Sequence, residues 1–255
     1  VSKEIRDKGT EIETELAKHG VELSIRKDMY DAFNTYYNGV YNVEKAYLSA
    51  EKNKCVNDTN ICYKRMGMNL PKSERDEIQK IKEQISELSN NFQNNVNNEN
   101  TKINFTKTQL NGVPDSWFDS HTPIDGTEDT YELTLKPHDF ITVMDNCKNR
   151  QTRHDIAKIS SRKCVDENSP IFKEILGLRT ELANKLGYKT FADYNCELNI
   201  LNTGDKIMEF ENNLHDILKD QYVTDIDNVK KFALTQDNDT VESFESYDTR
   251  YYDKL

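Results

Sequence analysis

The sequence predicts a mainly α protein with one small β-hairpin, and three observations carry that expectation. Ile78, Ile81, Ile85, Leu88, Phe92 and Val96 recur at spacings of three and four, which is one apolar stripe on a long helix. Phe172, Ile175, Leu176, Arg179, Leu182 and Leu186 draw a second stripe of the same period. Alternation of period two is clearest at Tyr131-Glu132-Leu133-Thr134-Leu135, with a weaker echo from Lys102 to Phe105. The hairpin is therefore expected near residues 102–135.

Each element has its own local cause. Ile5, Ile12 and Leu16 suggest a first helix, ended by Gly20 just past its last turn. Tyr30, Phe33, Tyr37, Val40, Tyr41 and Tyr47 suggest a second, lined with aromatic rings and better suited to packing than to holding a substrate. Residues 52–65 lack periodicity and read as a loop. After Leu70-Pro71-Lys72, Ser73 caps the first striped helix, of about 24 residues. That helix is expected to fray between Asn94 and Asn100, because Asn competes for backbone hydrogen bonds. Thr106-x-x-Gln109 fits a capping box, and Gly112, Pro114, Pro123 and Gly126 mark a turn-rich connection. Asn149 or Thr152 starts a helix through Ile156 and Ile159. Ser169-Pro170 opens the second striped helix, with Pro at its first position, and Gly187 closes it. Thr190 to Tyr194 opens another, running to about Leu201. Thr203 caps one that carries Ile207, Phe210, Leu214, Ile217 and Leu218, and Ser246 to Leu255 read as the first turns of a last helix.

Composition excludes several function classes. The chain has 255 residues and a net charge of −11, from 34 basic and 45 acidic side chains. So acidic a surface repels nucleic acid and anionic lipid, and neither is expected as a partner. Leu, Ile, Val and Phe make up about 23% of the residues, just above the roughly 20% at which disorder becomes the better expectation. No apolar run exceeds three residues, as at Phe232-Ala233-Leu234, so neither a membrane span nor a signal peptide is expected. The first residue is Val1 and not Met, so the natural N-terminus is expected upstream. Cys55, Cys62, Cys147, Cys164 and Cys196 have neither zinc spacing nor the even count of a disulfide framework, which points to reduced thiols and a cytoplasmic location.

A self-contained active site is not expected either. The histidines are His19, His121, His138, His154 and His215, and none begins His-Glu-x-x-His, the helical zinc pair with its built-in general base. Neither a Gly-x-Ser-x-Gly elbow, a phosphate-binding glycine loop nor a dinucleotide fingerprint occurs. The histidines are expected to be structural or solvent-facing. The acidic run Glu4, Asp7, Glu11, Glu13 and Glu15 is expected to be a solvated helix face.

A series of short motifs then stands in a telling order. Leu23-Ser24-Ile25-Arg26-Lys27-Asp28-Met29-Tyr30 is followed by Gly67 and Leu70-Pro71, the helix from Ile78 to Ile85, and Asn91-Phe92 with Asn97. Next come Phe105-Thr106-x-x-Gln109-Leu110-x-Gly112-Val113-Pro114, Leu135-Lys136-Pro137-His138-x-Phe140 and Thr152-Arg153. Leu178-Arg179, Leu186-Gly187-Tyr188-x-Thr190-x-Ala192-Asp193-Tyr194 and Tyr247-Asp248-x-Arg250-Tyr251-Tyr252 close the series. Together they resemble the first half of peptidase family M3, the group of thimet oligopeptidase, neurolysin and saccharolysin. The stretch 52–65 and Tyr247, where the family has Trp, depart from its pattern.

The resemblance implies a zincin-like, neurolysin-like fold of which this chain is the helical N-terminal region. Residues 1–100 would form part of a channel wall. Residues 101–255 would add the small β element and further helices, stopping before the zinc-binding catalytic domain. It implies a zinc metalloendopeptidase acting on short oligopeptides. Zinc would be held by two His and a Glu with an open position, and the motif Glu would act as general base. All of these residues lie outside the sequence given. No catalytic, cofactor-binding or metal-ligating residue is therefore assigned within it, and the chain by itself is expected to be inactive. The alternatives are an acidic helical scaffold that binds basic partners and a protein binding metal through scattered His and carboxylates.

Overall fold

A computed structural model describes residues 8, 12, 16, 26–236 and 244–255. The helix expected between Ile5 and Gly20 lies largely outside the described residues, as do Leu23-Ser24-Ile25. The described chain is helical apart from one antiparallel strand pair, as expected. It falls into two compact units, one from residues up to Leu88 with Glu174–Ile207, the other Ser89–Lys173 with Met208–Leu255.

The first unit begins with α1 (Lys27–Asn38), α2 (Val40–Glu44) and α3 (Ala50–Arg65). The aromatic helix expected through Tyr47 is split at Gly39 and ends at Glu44, leaving Tyr47 87% exposed. Tyr30, Phe33, Tyr37 and Tyr41 do pack, stacking among themselves and on Tyr63 of α3 at 5.3–5.8 Å. The loop expected over 52–65 is instead α3, and the reason is chemical. Ser49 accepts a hydrogen bond from the Lys52 amide and caps its start. Its inner face is Asn53, Val56, Asn60 and Tyr63, a helical spacing occupied mostly by polar groups and therefore invisible to hydropathy. Asn53 justifies its place by donating to the Lys45 and Leu48 carbonyls.

Helix α4 (Lys72–Asn98) starts at Pro71, whose carbonyl accepts from the Arg75 amide, so Ser73 lies one position inside. Ile78 and Ile81 meet Leu182 of α8 (Val165–Lys185), with Leu70, Ile85, Leu178, Leu186, Phe191 and Tyr194 around them. Gly187 ends α8 as expected, at φ 82°, in a Schellman motif: the Tyr188 amide donates to Ala183 and the Gly187 amide to Asn184. Helix α9 (Phe191–Cys196) is capped by Thr190 and stops five residues short of Leu201, where Asn202 takes φ 50°.

The second unit carries β1 (Lys102–Thr106) and β2 (Thr130–Thr134). Ile103 faces Leu133 and Phe105 faces Tyr131, so one side of the pair is apolar. That side joins Leu110, Val113, Trp117 of α5 (Asp115–Asp119), Val143 and Met144 of α6 (Pro137–Asn146), Cys147, and Ile156 of α7 (Arg150–Ser160) in one core. The capping box is present, since the Thr106 amide donates to Gln109 Oε1 and the Gln109 amide to Thr106 Oγ1. It closes a turn and not a helix. Gly112 sits there at φ 96°, and a Cβ on it would lie 2.5 Å from the Asn146 carbonyl oxygen.

Two further expectations are corrected in this unit. Helix α4 does not fray from Asn94 but continues to Asn98, because Asn95 donates to Asn168 and the Asn95 carbonyl accepts from the Cys164 thiol. Helix α8 begins at Val165, not at Ser169, so Pro170 lies inside it. Asn168, which is buried, donates to the Phe92 carbonyl and fixes this added turn by tertiary contact. Helix α10 (Gly204–Gln236) is 33 residues long, and its one buried residue is Ala233. Phe244, Tyr251 and Tyr252 of α11 (Ser246–Lys254) pack on Ala233 and Val229.

Candidate functional site

Three places in the second unit bring functional side chains together. The first is built by α11, whose first turn presents Asp248 toward α7. Arg150 and Arg153 lie three residues apart on one face of α7 and both donate to that carboxylate, at 2.8–3.1 Å. Arg153 and Asp248 are fully buried. The Arg153 guanidinium also lies 4.3 Å from the Tyr251 ring and 5.7 Å from that of Tyr252. Burial alone would push the Asp248 carboxyl up. The Arg150 and Arg153 hydrogen bonds and the Glu245 amide overcome it and hold Asp248 below the usual carboxylate range. This cluster fixes the Tyr247–Tyr252 segment but presents no free acid, base or nucleophile.

The second place resembles a catalytic array and is not one. His121 Nε2 lies 3.0 Å from Asp139 Oδ1, and Ser120 Oγ lies 3.1 Å from His121 Nδ1. Yet Nδ1 also lies 2.7 Å from the Trp117 carbonyl oxygen, and the Ser120 hydroxyl donates to that same carbonyl at 2.8 Å and not to the ring. Ser120 is therefore not held as a nucleophile activated by His121. Asp139 is further tied to Trp117 Nε1, the Thr134 amide and the Thr134 hydroxyl. The group pins α5 and β2 to α6.

The remaining candidates also lack the partners of catalysis. His138 lies parallel to His121 at 6.4 Å, and His154 contacts Asp155 and the Tyr247 ring. His215 is exposed on α10, and His19 is outside the described residues. The Cys147 thiol is buried and donates to the Gln109 carbonyl, and burial pushes its pKa up, away from the reactive thiolate. Cys55, Cys62, Cys147, Cys164 and Cys196 are all free. Among the described residues no three His, Cys, Asp or Glu side chains are grouped to hold a metal ion, so these residues do not fit a zinc site. None of the described helices is long and apolar enough to cross a membrane.

The third place is the outer face of α10. Phe210, Leu214, Ile217, Leu218, Tyr222 and Val223 are 43–74% exposed. The first four are among the apolar residues expected on the helix that Thr203 opens, and the described residues do not cover them. The Arg150–Asp248–Arg153 cluster went unrecognised in the sequence. Arg153 and Asp248 stand in two of the motifs and Arg150 in none, and only the fold shows that the three meet.

The profile of Peptidase family M3 matches residues 143–255, the stretch that contains α7, α10 and α11. A thimet-like oligopeptidase of Dictyostelium discoideum is 30% identical over 97% of this chain and 37% of its own length. Saccharolysin of Saccharomyces cerevisiae is 34% identical over 98% of this chain and 36% of its own. Oligopeptidase A of Salmonella typhimurium is 25% identical over 93% of this chain and 36% of its own. The chain thus spans little more than a third of the curated relatives it matches.

Proposed function

This chain belongs to peptidase family M3, and on that premise we propose that the complete protein is a zinc-dependent metalloendopeptidase of short oligopeptides. The observation that supports this is similarity of 30–34% running over nearly all of this chain to a thimet-like oligopeptidase and to saccharolysin. Zinc and its ligands would belong to polypeptide beyond residues 1–255, the missing catalytic half. No step of the reaction is assigned to the residues described above.

In this proposal the chain supplies one wall of a substrate channel, through residues 1–100 and the β element and helices of residues 101–255. The wall would admit short peptides and exclude folded proteins by access alone. The complete protein would work in the cytoplasm, bind neither nucleic acid nor membrane, and use zinc as its cofactor. The test is twofold. The coding sequence beyond Leu255 should contain His-Glu-x-x-His, and a stop codon there would favour the acidic scaffold instead. The complete protein should cleave a quenched fluorescent peptide and lose that activity to a chelator. Cleavage indifferent to chelation would refute the zinc assignment.

A further inference from the structure

The second unit contains an open cavity of about 730 Å³ at the end of α4, lined by Asn95, Glu99 and Thr101 on one side and by Lys158, Arg162 and Lys163 on the other. Glu99 is its unusual member. The side chain is only 6% exposed. One oxygen, Oε1, accepts the Thr101 amide at 2.6 Å. The other, Oε2, is buried without any hydrogen-bond partner. The Lys163 ammonium stands 3.7 Å from it, beyond hydrogen-bond reach. Lys136 is spoken for, because it donates to the Asn97 and Glu99 carbonyls.

A buried carboxylate oxygen with no donor is costly, and native structures keep few of them. Burial would raise the pKa of Glu99. The Thr101 hydrogen bonds and the charges of Lys163 and Lys136 outweigh it, so the carboxyl stays below its usual range and is ionised at neutral pH. Oε2 therefore has Lys163 as a counter-charge but lacks a donor at hydrogen-bond distance, a place that a ligand's ammonium can take. The remaining charges of the cavity balance: Lys158, Arg162 and Lys163 stand against Glu99, Asp166 and Glu167. A ligand of one sign meets as much repulsion as attraction there. A ligand carrying both signs satisfies both sides.

We infer that this cavity binds a free amino acid or a short peptide through both of its charged ends, its ammonium on Glu99 and its carboxylate against Lys158, Arg162 and Lys163. The ammonium takes over Oε2 from Lys163, and the released lysine turns to the carboxylate. The inference rests on these residues alone and stands or falls separately from the peptidase proposal.

The test is nuclear magnetic resonance titration of residues 1–255 with glycylglycine, N-acetylglycylglycine and acetate. Glycylglycine should shift the Glu99, Thr101 and Lys163 amides saturably at millimolar concentration. The acetylated peptide, which lacks the ammonium, and acetate should bind about tenfold more weakly or worse, as should glycylglycine to Glu99→Gln. Equal binding of free and acetylated peptide overturns the inference, and so does the absence of saturable shifts at these amides. If Glu99→Gln does not fold, the pair of peptides on the unsubstituted chain decides the matter.

Discussion

At the scale of residues, the second unit depends on charges placed where water is not. Asp248 neutralises two arginines, one of them fully buried, and removing it would leave Arg153 charged and unpaired in the interior. Asp248→Asn should therefore lower unfolding stability by about 3–5 kcal/mol in urea denaturation, whereas an exposed carboxylate such as Asp205 should cost almost nothing. The same carboxyl sets an acid response. Its folded pKa lies below the unfolded value, so its contribution is complete at neutral pH and is lost as pH falls through and below about 3.9. Buried Asp139, depressed by the hydrogen bonds of Thr134 and Trp117 against the upward push of burial, adds to the same loss. Thermal melts should show a plateau above about pH 5 and a fall below it, with Asp248→Asn flattening that fall. Gly112 is the residue least open to substitution. Its φ of 96° and the nearby Asn146 carbonyl both oppose a side chain, so Gly112→Ala should cost about 2 kcal/mol or more. Sequence exposed this glycine as part of a turn. It gave no hint of the Arg150–Asp248–Arg153 cluster, because pairing over a separation of 95 or more residues has no local signature.

At the scale of elements, legibility followed the chemistry of the buried face. Where that face is aliphatic, as at Ile78 and Ile81, period and helix agree. Where it is amide and hydroxyl, as at Asn53 and Asn60 of α3, the period is present but carried by the wrong residue types for hydropathy to show it. Helix ends depended on what lay nearby in space. The Schellman turn at Gly187 is local and was legible. The first turn of α8 is held by Asn168 against α4, so Pro170 became an interior residue although its sequence context marks a start. This difference is measurable. A proline at the first position of a helix is favourable, whereas one inside forfeits a backbone bond to the carbonyl four residues earlier. Pro170→Ala should stabilise the chain by about 1–2 kcal/mol after the proline's entropic advantage is subtracted. A loss of stability would mean that α8 starts at Ser169 after all.

At the scale of the whole molecule, the described residues pack into three buried clusters, and α10 is bare over much of its length ahead of Val229. Ile217 is 74% exposed and Tyr222 66%, on a helix of about 50 Å. Contiguous apolar surface of this kind drives association. Residues 1–255 should self-associate in sedimentation experiments, and Leu214→Glu with Leu218→Glu should shift them toward the monomer without lowering the melting temperature. A monomer at all concentrations before substitution would show that the face is tolerated bare. The mainly α class and the strand pair were legible because they rest on local periodicity. The covering of α10 was not, because a stripe states that a face is apolar without saying what meets it.

The proposed function puts the peptidase's metal centre outside residues 1–255. The most direct measurement is cleavage of a quenched fluorescent peptide by purified residues 1–255 supplied with zinc. No cleavage above buffer is the predicted result. Reproducible hydrolysis abolished by a chelator would contradict it, because it would place a working zinc site within this chain.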